Sequence, residues 1–154
     1  MKANELMLGD LYCVTKDVCF KKGTIVVIRG IDADRTFHEL KGCATCIALG
    51  DSYNMQGGVW LDYLAQIPLT SEILEKNGFV ANKHAYPYPY YEYTNEEGKV
   101  KVGFAFPQGN RTSYKEPWVY IDSENVFIEH LPCIFVHQLQ HALKLCEIDK
   151  TIEL

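Results

Sequence analysis

The chain has 154 residues, 47% hydrophobic and 23% charged, ordinary globular proportions that fit one domain or two very small modules and exclude extensive disorder. Its net charge is -5, with 7 basic and 8 acidic residues before Pro68 and 8 and 12 from there on, so neither half has the basic excess that drives non-specific phosphate binding. No stretch approaches the ~20 apolar residues of a bilayer span, and Glu5 and Asp10 interrupt any apolar signal core, so a cytoplasmic protein without a secretory peptide is expected.

The first 68 residues read as short strands separated by turns. Leu11 to Val14 is a short apolar run, and Thr24 to Ile28 follows Gly23 with the β-branched residues that suit a pleated, packed surface. Gly30, Asp32 and Asp34 carry turn chemistry, after which Thr36 to Leu40 can return as a strand. Ile47 to Leu49 and Val59 to Leu61 follow, on either side of the turn-rich stretch Gly50 to Gly58. This spacing suggests a small SH3-like β-barrel or rolled sheet.

Pro68 marks a boundary, since proline disfavours helix at the residue before it. A short two-turn helix is predicted at once, with Thr70 as cap, Glu72 near the positive end, Ile73 and Leu74 on the apolar side and Gly78 as the stop. Tyr86 to Phe106 reads as a hairpin turning at Asn95 to Gly98, with Pro87 and Pro89 confining its start to an edge or an irregular lead-in. Trp118 to Ile121 and Val126 to Ile128 add strands. Val136, Leu139, Leu143 and Cys146, at three- and four-residue steps, predict an amphipathic helix that the preceding strands would cover, with Gln138, Gln140, Lys144 and Glu147 largely off the stripe. The fold class expected is α+β and strand-rich: a barrel-like module over 1–68, then an antiparallel sheet packed with one or two helices over 69–154, with separate cores or a shared one.

Few constellations carry chemistry. Cys43-Ala44-Thr45-Cys46 has the spacing for two thiolates to share a metal or form a redox disulfide, but β-type segments surround it and no second ligand pair follows, so packed or exposed thiols are the plainer reading. With no export signal, all six cysteines are expected to be reduced and mostly buried. His137 and His141 lie four apart on the last helix, where two imidazoles can meet one ion; Gln138 stands where a zincin needs its general-base glutamate, and His130 is the nearest further histidine. No metal, cofactor or catalytic set is assigned. Tyr86, Tyr88, Tyr90, Tyr91 and Tyr93 form the densest aromatic cluster, able to fill a core, anchor a protein contact or stack on bases.

Three stretches carry a resemblance: Ala3-Asn4-Glu5-Leu6 with Leu8-Gly9-Asp10; Ile67-Pro68-Leu69-Thr70 running through Glu72 to Phe79; and Val136-His137-Gln138-Leu139-Gln140-His141-Ala142-Leu143. Together they resemble a family of small uncharacterised proteins of gut bacteria, often found in prophage or mobile-element neighbourhoods. The similarity runs in order through nearly the whole chain and is weakest over 82–130. It implies a cytoplasmic bacterial protein with a strand-rich N-terminal module and an α+β C-terminal half, and it brings no catalytic residues. The family's opening has a basic residue where this chain has Met7, which weakens a phosphate-binding role there.

The expected function is non-enzymatic: a protein-binding or adaptor protein of a bacterial mobile element. The alternative is a nucleic-acid-binding protein using the barrel module, to which Lys21, Lys22 and Arg29 would contribute, and the third reading is a metal-dependent enzyme.

Overall fold

A computed structural model describes residues 5–50, 56–82, 90–94, 101–105, 117–122, 127–148 and 150–154, with backbone alone at 101 and 127–130. The chain divides into two compact units, Met1–Ile67 and Pro68–Leu154.

The first unit is one antiparallel sheet. Its strands are β1 (Leu11–Val14), β2 (Ile25–Phe37), β3 (Leu40–Ala48), β4 (Gln56–Trp60) and β5 (Leu64–Gln66), with a 3-10 turn over Leu61–Tyr63 between the last two. The order is β4-β3-β2-β1-β5. Among the described residues no pairing joins β4 to β5, so the ladder is an open sheet and not a closed barrel. The sheet nevertheless folds over one core, because Tyr12, Val14, Val26, Ile28, Ala44 and Val59 belong to the same buried cluster. The loop after β1 reaches the far edge: Cys19 donates its thiol to the Gly58 carbonyl at 3.3 Å, and Phe20 joins the core. Gly57 permits that approach, since a Cβ there would lie 2.9 Å from the Cys19 Cβ and 3.0 Å from the Phe20 ring.

The turn expected around Gly30 to Asp34 is not where the chain reverses. β2 runs 13 residues, straight through that polar stretch. The Asp32 carboxylate does exercise its turn chemistry, accepting the Arg35 amide at 3.1 Å. The result is a bulge, since four steps from Asp32 to Thr36 oppose two steps from Cys43 to Lys41. Reversal comes at His38 and Glu39, between the paired residues Phe37 and Leu40, with His38 at φ 53°. The expected return strand from Thr36 to Leu40 is therefore the tip of a long hairpin.

The second unit holds α1 (Ser71–Lys76), β6 (Val80–Asn82), β7 (Tyr90–Thr94), β8 (Lys101–Ala105), β9 (Trp118–Asp122), β10 (Phe127–Pro132) and α2 (Val136–Leu145). The strands form an antiparallel meander, β10-β9-β8-β7-β6. Strand alternation puts Val102, Phe104, Val119 and Ile121 on one buried face. α2 lies against β9 and α1 against β6. α1 begins as its cap predicts: Thr70 accepts the Ile73 amide at 3.3 Å. It ends in a Schellman arrangement, with Phe79 N–H donating to Leu74 O, Gly78 N–H to Glu75 O, and Gly78 at φ 78°.

α2 buries Val136, Leu139, Ala142, Leu143 and Cys146 as the periodicity requires. The buried face is wider than the stripe, however, and takes in His137 and Gln140. The same Schellman pairing closes α2, from Ile148 N–H to Leu143 O and from Glu147 N–H to Lys144 O, but there the left-handed position is held by Glu147 at φ 58°. Beyond it the chain returns to α1. The buried Asn77 amide donates to Ile73 O and Glu153 O and accepts from Glu153 N–H at 2.9 Å, while Lys76 Nζ donates to Leu154 O.

Candidate functional site

The tyrosine row is split by strand parity. Tyr86 and Tyr88 lie outside the described residues. On β7, Tyr91 and Tyr93 stand opposite Phe104 and Val102 and share the core-side face. Tyr91 donates its hydroxyl to Glu75 at 3.2 Å, and burial, with Glu75 beside it, pushes its pKa up. Tyr93 packs on Phe79 at 5.4 Å between ring centroids and carries Lys150 Nζ at 5.2 Å over its ring. Both residues tie the sheet to α1 and to the segment after α2.

Tyr90 faces the other way, with Glu92 beside it. Across the ladder it pairs with Ala105 and Trp118, while Glu92 pairs with Gly103 and Tyr120. Tyr90 and Tyr120 meet edge to face at 5.8 Å, and Trp118 lies 6.4 Å from Tyr120. The Tyr120 ring covers Gly103, where an added Cβ would overlap it, and its hydroxyl donates to Glu92 at 2.8 Å. Burial and the Glu92 carboxylate hold the Tyr120 hydroxyl protonated well above the usual tyrosine range. Only Tyr90 of the row's described members thus contributes to a second aromatic surface, and its companions come from β9.

The two short-spacing motifs do not converge. Cys43 and Cys46 are three apart on β3, so they project from opposite faces. Cys46 enters the core, where burial pushes its thiol up to about 12, and bonds Ala44 O at 3.6 Å. Cys43 lies on the outer face opposite Trp60, its thiol also raised by burial, with Arg35 pulling the other way. The six cysteines are free thiols: Cys43, Cys46, Cys133 and Cys146 are buried, Cys13 is half-buried and Cys19 is exposed.

His137 is buried with Phe135 stacked on it at 5.9 Å and His141 edge-on at 5.7 Å. Gln138 serves the backbone, since its Oε1 accepts the Ile134 and Phe135 amides at 2.7 and 3.0 Å and so covers the start of α2. Among the described residues, no group of three His, Cys, Asp or Glu side chains is placed to hold a metal.

A further cluster, at the β2–β3 hairpin, matches none of the motifs read from the sequence. Phe37 is 58% exposed and lies parallel to Trp60, with centroids 6.3 Å apart and 20° between planes. His38 meets Phe37 at 4.3 Å, and the Arg35 guanidinium sits 5.7 Å over the Trp60 ring. The bulge after Asp32 reorients Arg35, while pairing across β3 brings Trp60 from β4 to the same surface. A signal was present: Phe37 is a large aromatic in the polar run from Asp32 to Glu39, with no apolar neighbour at period two to share a core face. No protein-family model, no curated protein and no solved structure matches the chain.

Proposed function

We propose that the chain is a non-enzymatic protein-binding or adaptor protein, acting in the bacterial cytoplasm as part of a mobile element. The observation that carries the binding reading is the Arg35–Phe37–Trp60 cluster, in which Arg35 and Phe37 are exposed and Trp60 is half-buried. Trp, aromatic and Arg side chains are the residue types that dominate contact energies, and the paired strands β2, β3 and β4 present them on hydrogen-bonded backbone with little ordering still to be done. The β2–β3 hairpin is of mixed sign, with exposed Arg29, Arg35 and Lys41 against exposed Asp32, Asp34 and Glu39, which suits a polar-rimmed protein contact better than a phosphate track. The cytoplasmic and mobile-element part rests on the family resemblance; no helix among the described residues is long and apolar enough to cross a membrane.

We read the first unit as an SH3-like barrel left open along one side. The order β4-β3-β2-β1-β5, the long β2 shared by both halves of the sheet, the 3-10 turn between β4 and β5, and the loop of Cys19 and Phe20 folded across to β4 all support this reading. Scaffolds of this shape commonly bind extended segments through aromatic clusters beside their loops.

The test is capture from host lysate with and without nuclease, comparing wild type with Phe37→Ala. A nuclease-resistant protein held at near-stoichiometric yield by wild type, and at least tenfold less by the variant, supports the proposal. Recovery of nucleic acid, weakened by replacing Lys21, Lys22 and Arg29, would instead favour the second reading, whose support is the exposure of those three side chains. Equal capture by wild type and Phe37→Ala would show that the hairpin is not the binding surface.

A further inference from the structure

We propose that Cys19 and Cys46 are a thiol pair built to be oxidised to a disulfide, a modification site that fastens the β1–β2 loop across the sheet. Gly57 creates the pairing. It is the cross-strand partner of Cys46, and such partners hold their Cβ atoms roughly 5 Å apart. Gly57 has no Cβ, and the Cys19 side chain occupies that space: its Cβ lies 2.9 Å from where the glycine's would be, and its sulfur overlaps the position itself. The Cys19 side chain therefore takes the place of the cross-strand neighbour that Cys46 lacks, which puts its sulfur within about 8 Å of the Cys46 Cβ, a gap that a rotamer change and a loop shift would close when the disulfide forms. Cys43 projects from the other face of β3.

The two thiols differ as an entry and a resolving cysteine should. Cys19 is exposed and Cys46 is fully buried. Of these two, a small-molecule disulfide such as oxidised glutathione can reach only Cys19. The Cys19 thiolate attacks one sulfur of that disulfide, forming a mixed disulfide and expelling one glutathione thiolate. Cys46, once deprotonated, attacks the Cys19 sulfur and expels the second. Two protein thiols are oxidised, one disulfide is reduced to two thiols, and the two protons go to the departing glutathiones. Burial holds the Cys46 proton tightly, so the second step is the slow one and speeds up with rising pH. The product ties the β1–β2 loop to β3, on the core side of the β4 edge.

The test is intact mass and peptide mapping of the full chain treated with oxidised glutathione. Wild type is expected to lose two hydrogens, retain no glutathione and yield a Cys19–Cys46 peptide, and its Tm should rise by roughly 5 °C. Cys46→Ala should stop at one stable glutathione on Cys19, Cys19→Ala should form no internal disulfide, and Cys43→Ala should behave as wild type. Should Cys46→Ala fail to fold, Gly57→Ala offers a second route, since its added methyl displaces Cys19 and should leave the glutathione adduct unresolved. A persistent adduct on wild type, linkage of Cys19 to another cysteine, or no reaction within hours would each overturn the proposal.

Discussion

Replacing Gly103 by alanine is expected to destabilise the second unit through one neighbour, Tyr120. An added Cβ would lie 2.5 Å from Tyr120 Cδ1 and closer still to the next ring atoms, so the ring must leave its seat. Leaving breaks the hydroxyl's bond to the Glu92 carboxylate, worth about 1.5–3 kcal/mol for a charged acceptor. It also breaks the edge contact with Tyr90, worth about 0.5–1.5 kcal/mol. Removing a glycine from a strand returns about 0.5–1 kcal/mol, leaving a net loss of about 2–3 kcal/mol. The chain has one tryptophan in each unit, so in a Trp60→Phe background the fluorescence of Trp118, 6.4 Å from Tyr120, reports the second unit alone during urea unfolding. The decisive comparison is a double-mutant cycle. With Tyr120→Ala in place, Gly103→Ala should become neutral or slightly stabilising. An equal loss with and without the tyrosine ring would refute the reasoning, as would a Gly103→Ala variant within about 0.5 kcal/mol of wild type.

Alkali should weaken both units: Cys46 and Cys133 are pushed up to about 12 by burial from an ordinary 9.0, so the unfolded chain loses these protons first. Stability should then fall between about pH 9 and 12, by up to about 1.4 kcal/mol per pH unit for each thiol, and a denaturation series flat across that window would contradict the assignment. Glu147→Gly should stabilise by about 1 kcal/mol, raising Tm by roughly 3 °C in calorimetry, because the left-handed residue closing α2 is not a glycine. Asn77→Ala removes both bonds to the Glu153 backbone and should cost about 2–4 kcal/mol. Hydrogen exchange should show the Glu153 amide losing its protection before the sheet does, and unchanged protection there would show that the clasp does not hold this segment.

Much of the local structure was legible where one residue's chemistry settles a position. Thr70, Gly78 and the stripe of α2 are such cases, since a hydroxyl cap, a left-handed stop and a 3.6-residue period each have one natural use. The stretch from Gly30 to Asp34 misled for an equally definite reason. Asp32 makes the same carboxylate-to-amide bond in a bulge as in a chain reversal, and only the partner strand decides which. Gln140 looked like a surface residue because periodicity marks the centre of a buried face and not its width.

The candidate sites were harder to read because spacing along a chain says nothing about facing until the element is known. On a helix, residues four apart share a face, and His137 and His141 do meet, yet as packed rings with Phe135 also stacked on His137. On a strand, residues three apart never share a face, and that parity separates Cys43 from Cys46. The same parity divides Tyr90 from Tyr91 and Tyr93, turning one apparent aromatic cluster into two layers with different work. The groupings that the fold does create all depend on strand pairing. Phe37 meets Trp60 across β3, Tyr90 meets Tyr120 across β8, and Cys19 fills the space over Gly57, the cross-strand partner of Cys46. None of these pairs lies within ten residues of its partner in the chain, so a motif search at short spacing passes over all three. Each is separable by a single substitution in the unit that holds it, which lets the binding proposal at Phe37 and the oxidation proposal at Cys19 fail independently.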